Sequence, residues 1–238
     1  MSNFLAIATV TETFRQILEN AATASGISGA VATALRPTTG TTGLPTVGVN
    51  LYLYQVAPNA ALRNAAEPSR RSDGTILAPP QVALDLSYLL TFYGNDKILE
   101  PQRIMGSILR SLNSRPLLTR KAIQDTKQSV SSLAASNLDD QVELVRLRMT
   151  PMTLEELSKL WSVFLQTPYV LSVIYQASVI LLESDEVAQP ALPVRKRKLY
   201  VETFRLPTID AVLSQKETGA PQANQPIVLG DILVLTGR

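Results

Sequence analysis

Residues Gln81–Leu118, QVALDLSYLLTFYGNDKILEPQRIMGSILRSLNSRPLL, contain the features that decide the fold. Up to Tyr93, apolar side chains alternate with polar ones, which predicts a strand with one face in a core. The predicted apolar face comprises Val82, Leu84, Leu86, Tyr88, Leu90 and Phe92. A Gly-Asn-Asp turn follows, and Pro101 suits the first turn of a helix whose buried stripe comprises Ile104, Ile108, Leu109 and Leu112. The stretch predicts a strand, a tight turn and a helix, without the parts of an active site.

A second alternating segment, residues 47–56, lies upstream. Its two predicted faces are Val47, Val49, Leu51 and Leu53 against Asn50, Tyr52 and Tyr54. We expect it to pair antiparallel with the strand that begins at Gln81. The connection between them, residues 57–80, is polar and rich in turn residues, and connections of that length in a compact domain are usually functional or mobile.

Helical spacing of apolar residues predicts a helix over residues 3–24, which ends before Gly26. Its expected buried stripe is Phe4, Ile7, Val10, Thr11, Phe14, Ile17, Leu18 and Ala21. A weaker pattern predicts a helix over residues 117–133. Thr153 and Glu156 have the spacing of a capping box, so a further helix should begin there and end near Leu165. It would bury Leu157, Leu160, Trp161 and Phe164.

Three more segments read as strands: a short one at residues 30–35, an alternating one at 141–150, and one at 169–182. The last is apolar on both faces, which is typical of a central strand covered on each side. The predicted fold class is therefore α/β (α+β): a mixed β-sheet flanked by helices. This domain should occupy residues 1–185.

The character of the chain changes after Glu183. Residues 184–193 resemble a linker, and residues 207–238 predict two short strands around a polar loop. Two strands alone cannot bury the core of a β-sandwich. We therefore expect residues 186–238 to be a linker and a short β extension, from a longer polypeptide or a shortened relative.

The composition excludes several classes of chemistry. With no cysteine and no histidine among 238 residues, the chain lacks disulfides, thiol catalysis, Cys/His zinc sites and histidine acid–base catalysis. The net charge of +2 gives no support for nucleic-acid binding. The apolar run at 169–182 is shorter than the roughly 20 residues of a spanning helix, so we expect no membrane insertion.

Several polar groups could have a functional role, but for each of them an ordinary structural or solvated role is the simpler interpretation. Asp139, Asp140 and Glu143 could hold a divalent metal, but a solvated turn is the simpler interpretation. Asp85 should face solvent or a partner subunit. Residues 40–43 lack the lysine and the context of a phosphate loop. The adjacent Ser158 and Lys159 point apart on a helix, and the basic run at 195–198 is most simply a solvated one.

The loop at 57–80 carries the most interesting polar residues, Arg63, Arg70, Arg71 and Asp73. One interpretation is a loop tip without a role. The other is a docking loop that contacts neighbouring subunits, because the planar guanidinium binds carboxylates through two hydrogen bonds. We take these four residues as the candidate contacts, and expect no catalytic, metal or cofactor site.

The amino-acid sequences of four segments carry a family resemblance: NLYLYQVAPNAALRN, RRSDG, PQVALDLSYLLTFYGND and LEPQRIMGSILRSL. In this order and spacing they resemble the N-terminal domain of cap, or tail-terminator, proteins of extracellular contractile injection systems. These phage-tail-like particles include the antifeeding prophage and the Photorhabdus virulence cassettes. The resemblance covers residues 2–183. The C-terminal strands are similar to the first two strands of an immunoglobulin-like domain that longer relatives carry.

The resemblance implies a structural protein with a phage tail-terminator-like fold, not an enzyme. Such proteins form a hexameric ring that caps the inner tube and contractile sheath and stops their growth. It implies sheath and tube proteins as partners, no cofactor, and assembly in the bacterial cytoplasm, with or without later release of the particle. The alternatives are a tail terminator of a true contractile phage and, in a different class, a non-catalytic effector- or lipid-binding adaptor.

Overall fold

The computed structural model describes residues 2–38, 43–62, 81–164, 167–183 and 208–237. The chain divides into two compact units, Met1–Leu192 and Pro193–Arg238. The helices and strands of the first unit are α1 (Ala6–Thr23), β1 (Val31–Thr33), β2 (Gly48–Pro58), β3 (Gln81–Tyr93), α2 (Glu100–Ser114), α3 (Arg120–Ser129), β4 (Arg146–Met149), α4 (Leu154–Ser162) and β5 (Ser172–Glu183). Single 3₁₀ turns lie at Asp96–Ile98, Ser131–Leu133 and Leu138–Asp140. The predicted boundary at 185/186 falls outside the described residues and stays a prediction.

The first unit is built on a five-stranded mixed sheet in the order β1–β2–β3–β5–β4. β1 runs parallel to β2, and the other neighbouring pairs are antiparallel. The predicted antiparallel pairing of the two strongest strands, β2 and β3, is confirmed. β5 lies inside the sheet between β3 and β4, as its apolar composition predicts.

Helices cover both faces of this sheet, which confirms the α+β class. Along β3, Leu86, Tyr88, Leu90 and Phe92 enter a large core with residues of α1, α2 and α3. The intervening Leu89 enters a smaller cluster with Trp161 and Phe164 at the end of α4. Tyr52 and Tyr54 pack against that smaller cluster, so the two predicted faces of β2 are also confirmed. Val82 and Leu84 are the exceptions on β3: Val82 is 44% exposed, and Leu84, next to a register shift with β5, is only partly buried.

The predicted strand–turn–helix is confirmed in detail. Gly94 has a positive φ, and a Cβ on it would lie 2.7 Å from the Cβ of Glu100. Glu100 begins α2, and its carboxylate accepts a hydrogen bond from the Asn95 backbone N–H at 2.7 Å. Pro101 follows in the first turn. The tight packing of turn against helix therefore requires glycine at position 94.

The predicted N-terminal helix exists, but its buried stripe differs at one end. Phe4 is 78% exposed because it precedes the first turn of α1, which begins at Ala6. Val10, Phe14 and Leu18 are fully buried as predicted. Gly26 adopts a positive φ just after the helix, as a C-terminal stop signal predicts.

Several predicted elements are shorter than expected, among them the helix predicted at 117–133, which is Arg120–Ser129, and the strand predicted at 30–35, which is Val31–Thr33. The strand predicted at 141–150 is reduced to Arg146–Met149, because the buried side chain of Gln141 takes the place of a strand at the β5 edge. Its amide donates to the Val179 carbonyl at 2.8 Å and accepts from the Leu181 N–H at 2.9 Å. The capping box of α4 is confirmed. That helix ends at Ser162, since the next two residues form tighter bonds to carbonyls three residues back.

The second unit contains an antiparallel pair of strands, β6 (Ile209–Gln215) and β7 (Ile232–Gly237), as predicted. A polar loop joins them. Within it, the Asp231 carboxylate accepts hydrogen bonds from the Ser214 hydroxyl at 2.8 Å and the Val228 N–H at 3.1 Å. These bonds, the backbone one first, hold the pKa of Asp231 below its usual value.

Candidate interaction surfaces

The candidate docking residues Arg63, Arg70, Arg71 and Asp73 lie outside the described residues, so their role stays a prediction. The structure does describe the strands that carry their loop. β2 and β3 pair from Gly48 and Tyr93 at one end to Pro58 and Leu84 at the other. The loop therefore leaves from a two-stranded stem, whose register shifts once, between Leu53 and Gln55.

A side-chain clamp fixes the base of this loop. Asn59 donates from its amide to both carboxylate oxygens of Asp85, at 2.9 and 3.0 Å. Its amide oxygen accepts from the backbone N–H groups of Ala61 and Leu62, each at 3.0 Å. Its own N–H bonds to the Ala83 carbonyl at 2.8 Å. Asp85, which the sequence places on the polar face of its strand, thus orders the chain as far as Leu62.

The edge strand β1 is closed by a charged network on α1. Arg15 donates to the Ala32 carbonyl oxygen at 3.0 Å and to Glu12 at 2.8 Å, and it also bonds Glu19. The hydrogen bond to Glu12 raises the pKa of Arg15 above its usual range. Burial alone would raise the pKa of Glu12, but the bonds from Arg15 and Gln16 outweigh it and lower that pKa. This sheet edge is therefore occupied from within the chain.

The opposite edge strand, β4, is only partly covered. At its start, the Leu147 N–H donates to the Pro116 carbonyl at 2.7 Å, and the Leu118 N–H donates to the Val145 carbonyl at 2.9 Å. Leu147 points into the large core and is 3% exposed. Its neighbours Arg146 and Arg148 are exposed.

Two clefts adjoin β4, and a third lies between the C-terminal end of α1 and α2. Arg146 and Arg148 line two of them, of about 600 and 680 Å³. Arg110 and Arg115 line a third, of about 330 Å³. The sequence predicts an alternating strand at 141–150, which contains Arg146 and Arg148, but it assigns these two residues no function. Two arginines at alternate positions of a short apolar strand are the signal that could have identified this surface.

The acidic turn at Asp139, Asp140 and Glu143 is engaged in local structure. Lys127 bonds the Asp139 carboxylate at 2.7 Å, and Arg120 donates to the Asp139 carbonyl at 3.1 Å. Burial tends to raise the pKa of Asp139, but the hydrogen bonds from Lys127 and Gln124 lower it below its usual value. Among the described residues, no group of three or more acidic side chains could hold a metal ion.

The other polar candidates from the sequence either form local contacts or lie outside the described residues. Lys159 pairs with Glu155 at 2.6 Å on the surface of α4. Most of the Gly-Thr loop at 40–43 and the basic run at 195–198 lie outside the described residues. No helix in the described part of the chain is both long and apolar enough to cross a membrane.

The described residues of the first unit thus form an α+β domain. Asn59 and Asp85 clamp its loop stem, Arg15 bonds the edge strand β1, and clefts lined by arginines adjoin the other edge strand, β4. Comparison with known families then places it: the chain belongs to the Pvc16 N-terminal domain family, whose sequence model matches residues 9–196. The search of curated proteins gave no match.

Two solved structures are similar to this chain. One is the sheath/tube terminator of an extracellular contractile injection system, PVC, in the extended state: 17% identity, TM-score 0.49, covering 81% of this chain and 63% of that one. The other is the tube-terminating cap of the anti-feeding prophage: 18% identity, TM-score 0.44, covering 76% and 59%. The chain thus spans about three-fifths of the length of these two proteins.

Proposed function

We propose that this chain is a structural protein that caps and terminates the inner tube and contractile sheath of a phage-tail-like injection particle. The observation that carries the proposal is its membership of the Pvc16 N-terminal domain family over residues 9–196. The amino-acid sequences of β2, β3 and α2, which resemble those of the cap proteins, support the proposal. The two similar solved structures are a sheath/tube terminator and a tube-terminating cap.

The proposed working form is a hexameric ring that contacts sheath and tube. A closed ring needs a heterologous contact, in which one surface of a subunit meets a different surface of its neighbour. We assign part of this contact to the loop with Arg63, Arg70, Arg71 and Asp73. The clamp between Asn59 and Asp85 supports this role, because an ordered stem presents a loop in one direction.

The proposed role needs no catalysis, no cofactor, no nucleic acid and no insertion into a membrane. Residues 1–185 act as the terminator domain, and residues 186–238 add a linker and a β extension. Assembly takes place in the bacterial cytoplasm as part of the particle. In this proposal the polar side chains serve to hold edges, caps and loop stems in place, as Arg15 and Asn59 do.

Deletion of the gene in its own bacterium tests the capping role. Without a terminator, tube and sheath should continue to polymerise, so electron micrographs should show particles of variable and greater length. Complementation with the gene should restore one length. If the deletion strain makes sheathed particles of uniform length, the capping role is wrong and an adaptor role becomes the better explanation.

A charge-matched pair of variants tests the docking loop. The triple substitution R63S/R70S/R71S should leave the chain folded, since surface changes usually alter stability by no more than about 0.5 kcal/mol. It should weaken ring formation and capping, measured by native mass spectrometry and particle length. The control K97S/R103S/K121S removes the same charge from exposed positions elsewhere. Equal behaviour of the two triples would refute a specific role for the loop.

A further inference from the structure

We propose that the junction of α2 and β4 binds an extended acidic peptide segment of another protein, with Arg146 and Arg148 pairing with its carboxylates. The proposal concerns the surface of β4 beside the base of the predicted docking loop, since Asn59, Ala61 and Leu62 line one of its clefts, and it does not depend on the capping role. It rests on strand geometry, cleft lining and charge.

The two arginines are held at a defined spacing. Their strand pairs with β5, so that Arg146 lies opposite Ser178 and Arg148 lies opposite Gln176. Between them, Leu147 is anchored in the core. Residues two apart in a strand share a face and lie roughly 6.6 Å apart. An extended peptide with acidic residues at alternate positions has the same repeat, so each carboxylate can meet one guanidinium.

The clefts beside the arginines offer more than charge. The cleft of about 600 Å³ has apolar walls from Leu109, Leu112, Pro116 and Met149, with the polar Asn113 at one side. Apolar side chains between the carboxylates of a bound segment could enter it. Guanidinium groups bind carboxylates through two parallel hydrogen bonds, which adds direction to the charge attraction.

The local charge is one-sided. Arg110, Arg115, Arg146 and Arg148 form no ion pair with any residue in the described ranges. Among the described linings of the three clefts, the one acidic side chain is Glu143. Because the whole chain carries a net charge of only +2, the unpaired Arg146 and Arg148 mark a locally basic surface and not a generally basic protein.

An acidic peptide fits these features better than nucleic acid does. Non-specific binding of a single strand uses aromatic side chains as stacking platforms along a basic groove. The aromatic residue at this junction, Tyr175, is 5% exposed and packs in the core, so it offers no such platform. The apolar walls and the strand-like arginine spacing suit an extended peptide.

The test uses the full chain and a short fluorescent peptide of alternating glutamate and valine, with an alternating glutamine–valine peptide as the uncharged probe. Binding is measured by fluorescence anisotropy and mapped by ¹H–¹⁵N chemical shifts. The double variant R146S/R148S should lower the affinity for the glutamate–valine peptide by about tenfold or more. Each charge-assisted hydrogen bond that the variant loses contributes a substantial fraction of the corresponding binding free energy. R146K/R148K, which keeps charge but loses the planar fork, should fall in between.

The matched control K97S/R103S removes equal charge from exposed positions outside the clefts and should bind like the parent chain. If R146S/R148S fails to fold, the lysine variant and the shift map of the parent chain decide. Shifts at β4 and the end of α2 support the proposal.

The proposal is overturned by equal binding of the glutamine peptide, by equal losses in the control, or by tighter arginine-dependent binding of single-stranded DNA. Self-association that R146S/R148S abolishes would also overturn it, in favour of an interface between copies.

Discussion

The five-stranded sheet and the β6–β7 hairpin have similar apolar strand patterns but bury them very differently. Leu86 and Leu90 on β3 are 0% exposed, whereas Leu233 and Leu235 on β7 are 49% and 56% exposed. The sheet has helices on both faces. The hairpin's described residues have two strands and a polar loop, so neither face of β7 gains a comparable cover. Alternation therefore predicts a strand, but burial depends on which other elements the chain provides to cover it.

The difference in burial between the sheet and the hairpin affects how much each contributes to stability. Full burial of a leucine or phenylalanine side chain contributes about 1.5–3 kcal/mol relative to exposure. Such burial is repeated many times in the large core. In the hairpin the ordering contacts are largely polar and local, such as the bonds from Ser214 and Val228 to Asp231. We therefore expect the five-stranded sheet and its helices to contribute more to the stability of the protein than the hairpin does.

The largest effect is expected from Phe14→Ala. Phe14 is fully buried on α1 and makes edge-on contacts with Tyr88 and Tyr175, at ring-centre distances of 5.6 and 6.1 Å. Its removal leaves a cavity and should lower the free energy of unfolding by about 3–5 kcal/mol. Urea unfolding followed by the fluorescence of Trp161, the single tryptophan, measures this.

The matched control for Phe14 lies just before the same helix. Phe4→Ala removes the same side chain from a site that is 78% exposed and should change stability by no more than about 0.5 kcal/mol. Similar losses in both variants would mean that the large core does not dominate the stability of the sheet unit.

The next effect concerns a polar residue that completes the sheet. Gln141 supplies hydrogen bonds to Val179 and Leu181 on β5, beyond the point where the β4 ladder ends. Gln141→Ala leaves those backbone groups without partners and should cost about 2–3 kcal/mol. The control is Gln128→Ala at an exposed position of α3, and unfolding in urea compares the two. A loss below about 0.5 kcal/mol for Gln141→Ala would show that water replaces its amide.

Sequence reasoning predicted most of the fold because hydrophobic periodicity reports burial directly. It identified β2, β3, α2 and β5, and the capping box of α4. It overextended β4 because the pattern at 142–145 alternates like a strand, and nothing in this pattern reveals that the side chain of Gln141 bonds the edge of β5, about 40 residues further along the chain. Phe4 was misplaced for a related reason: periodicity does not locate the first turn of a helix to within a residue or two.

The interaction surfaces were less predictable than the fold. The Asn59–Asp85 clamp joins residues far apart in sequence, so it appears only once the β2–β3 register is known. The clefts lined by Arg146 and Arg148 form only through the pairing of β4 with β5 and with the 116–118 segment. The loop with Arg63, Arg70, Arg71 and Asp73 stays a prediction from composition.

A smaller, pH-dependent effect is expected at the Lys127–Asp139 pair. Since hydrogen bonds hold the folded-state pKa of Asp139 below its usual value of 3.8, the ionised carboxylate stabilises the fold above that value. The stabilisation is lost as the pH falls through the folded-state pKa. Asp139→Asn should therefore cost up to about 1 kcal/mol at pH 7, and the difference should shrink in acid. Urea unfolding across pH measures it.

Asp125→Asn, at an exposed position of the same helix as Lys127, is the control for this pair. It should show neither the loss at neutral pH nor the change in acid. If the two asparagine variants share one pH profile, the Asp139 pair contributes nothing specific to stability.

The smallest effect is expected in the hairpin, where Leu235→Ala removes a side chain that is already 56% exposed. The stability of β6 and β7 should change by no more than about 0.5 kcal/mol, because little apolar surface returns to water. Hydrogen exchange of the β6 and β7 amides measures this unit by itself. Leu90→Ala in β3, read from the exchange of the sheet amides, is the buried counterpart and should cost about 2–5 kcal/mol. A loss at Leu235 as large as that at Leu90 would mean that the hairpin leucine is covered in solution, and the distinction between the two regions would fail.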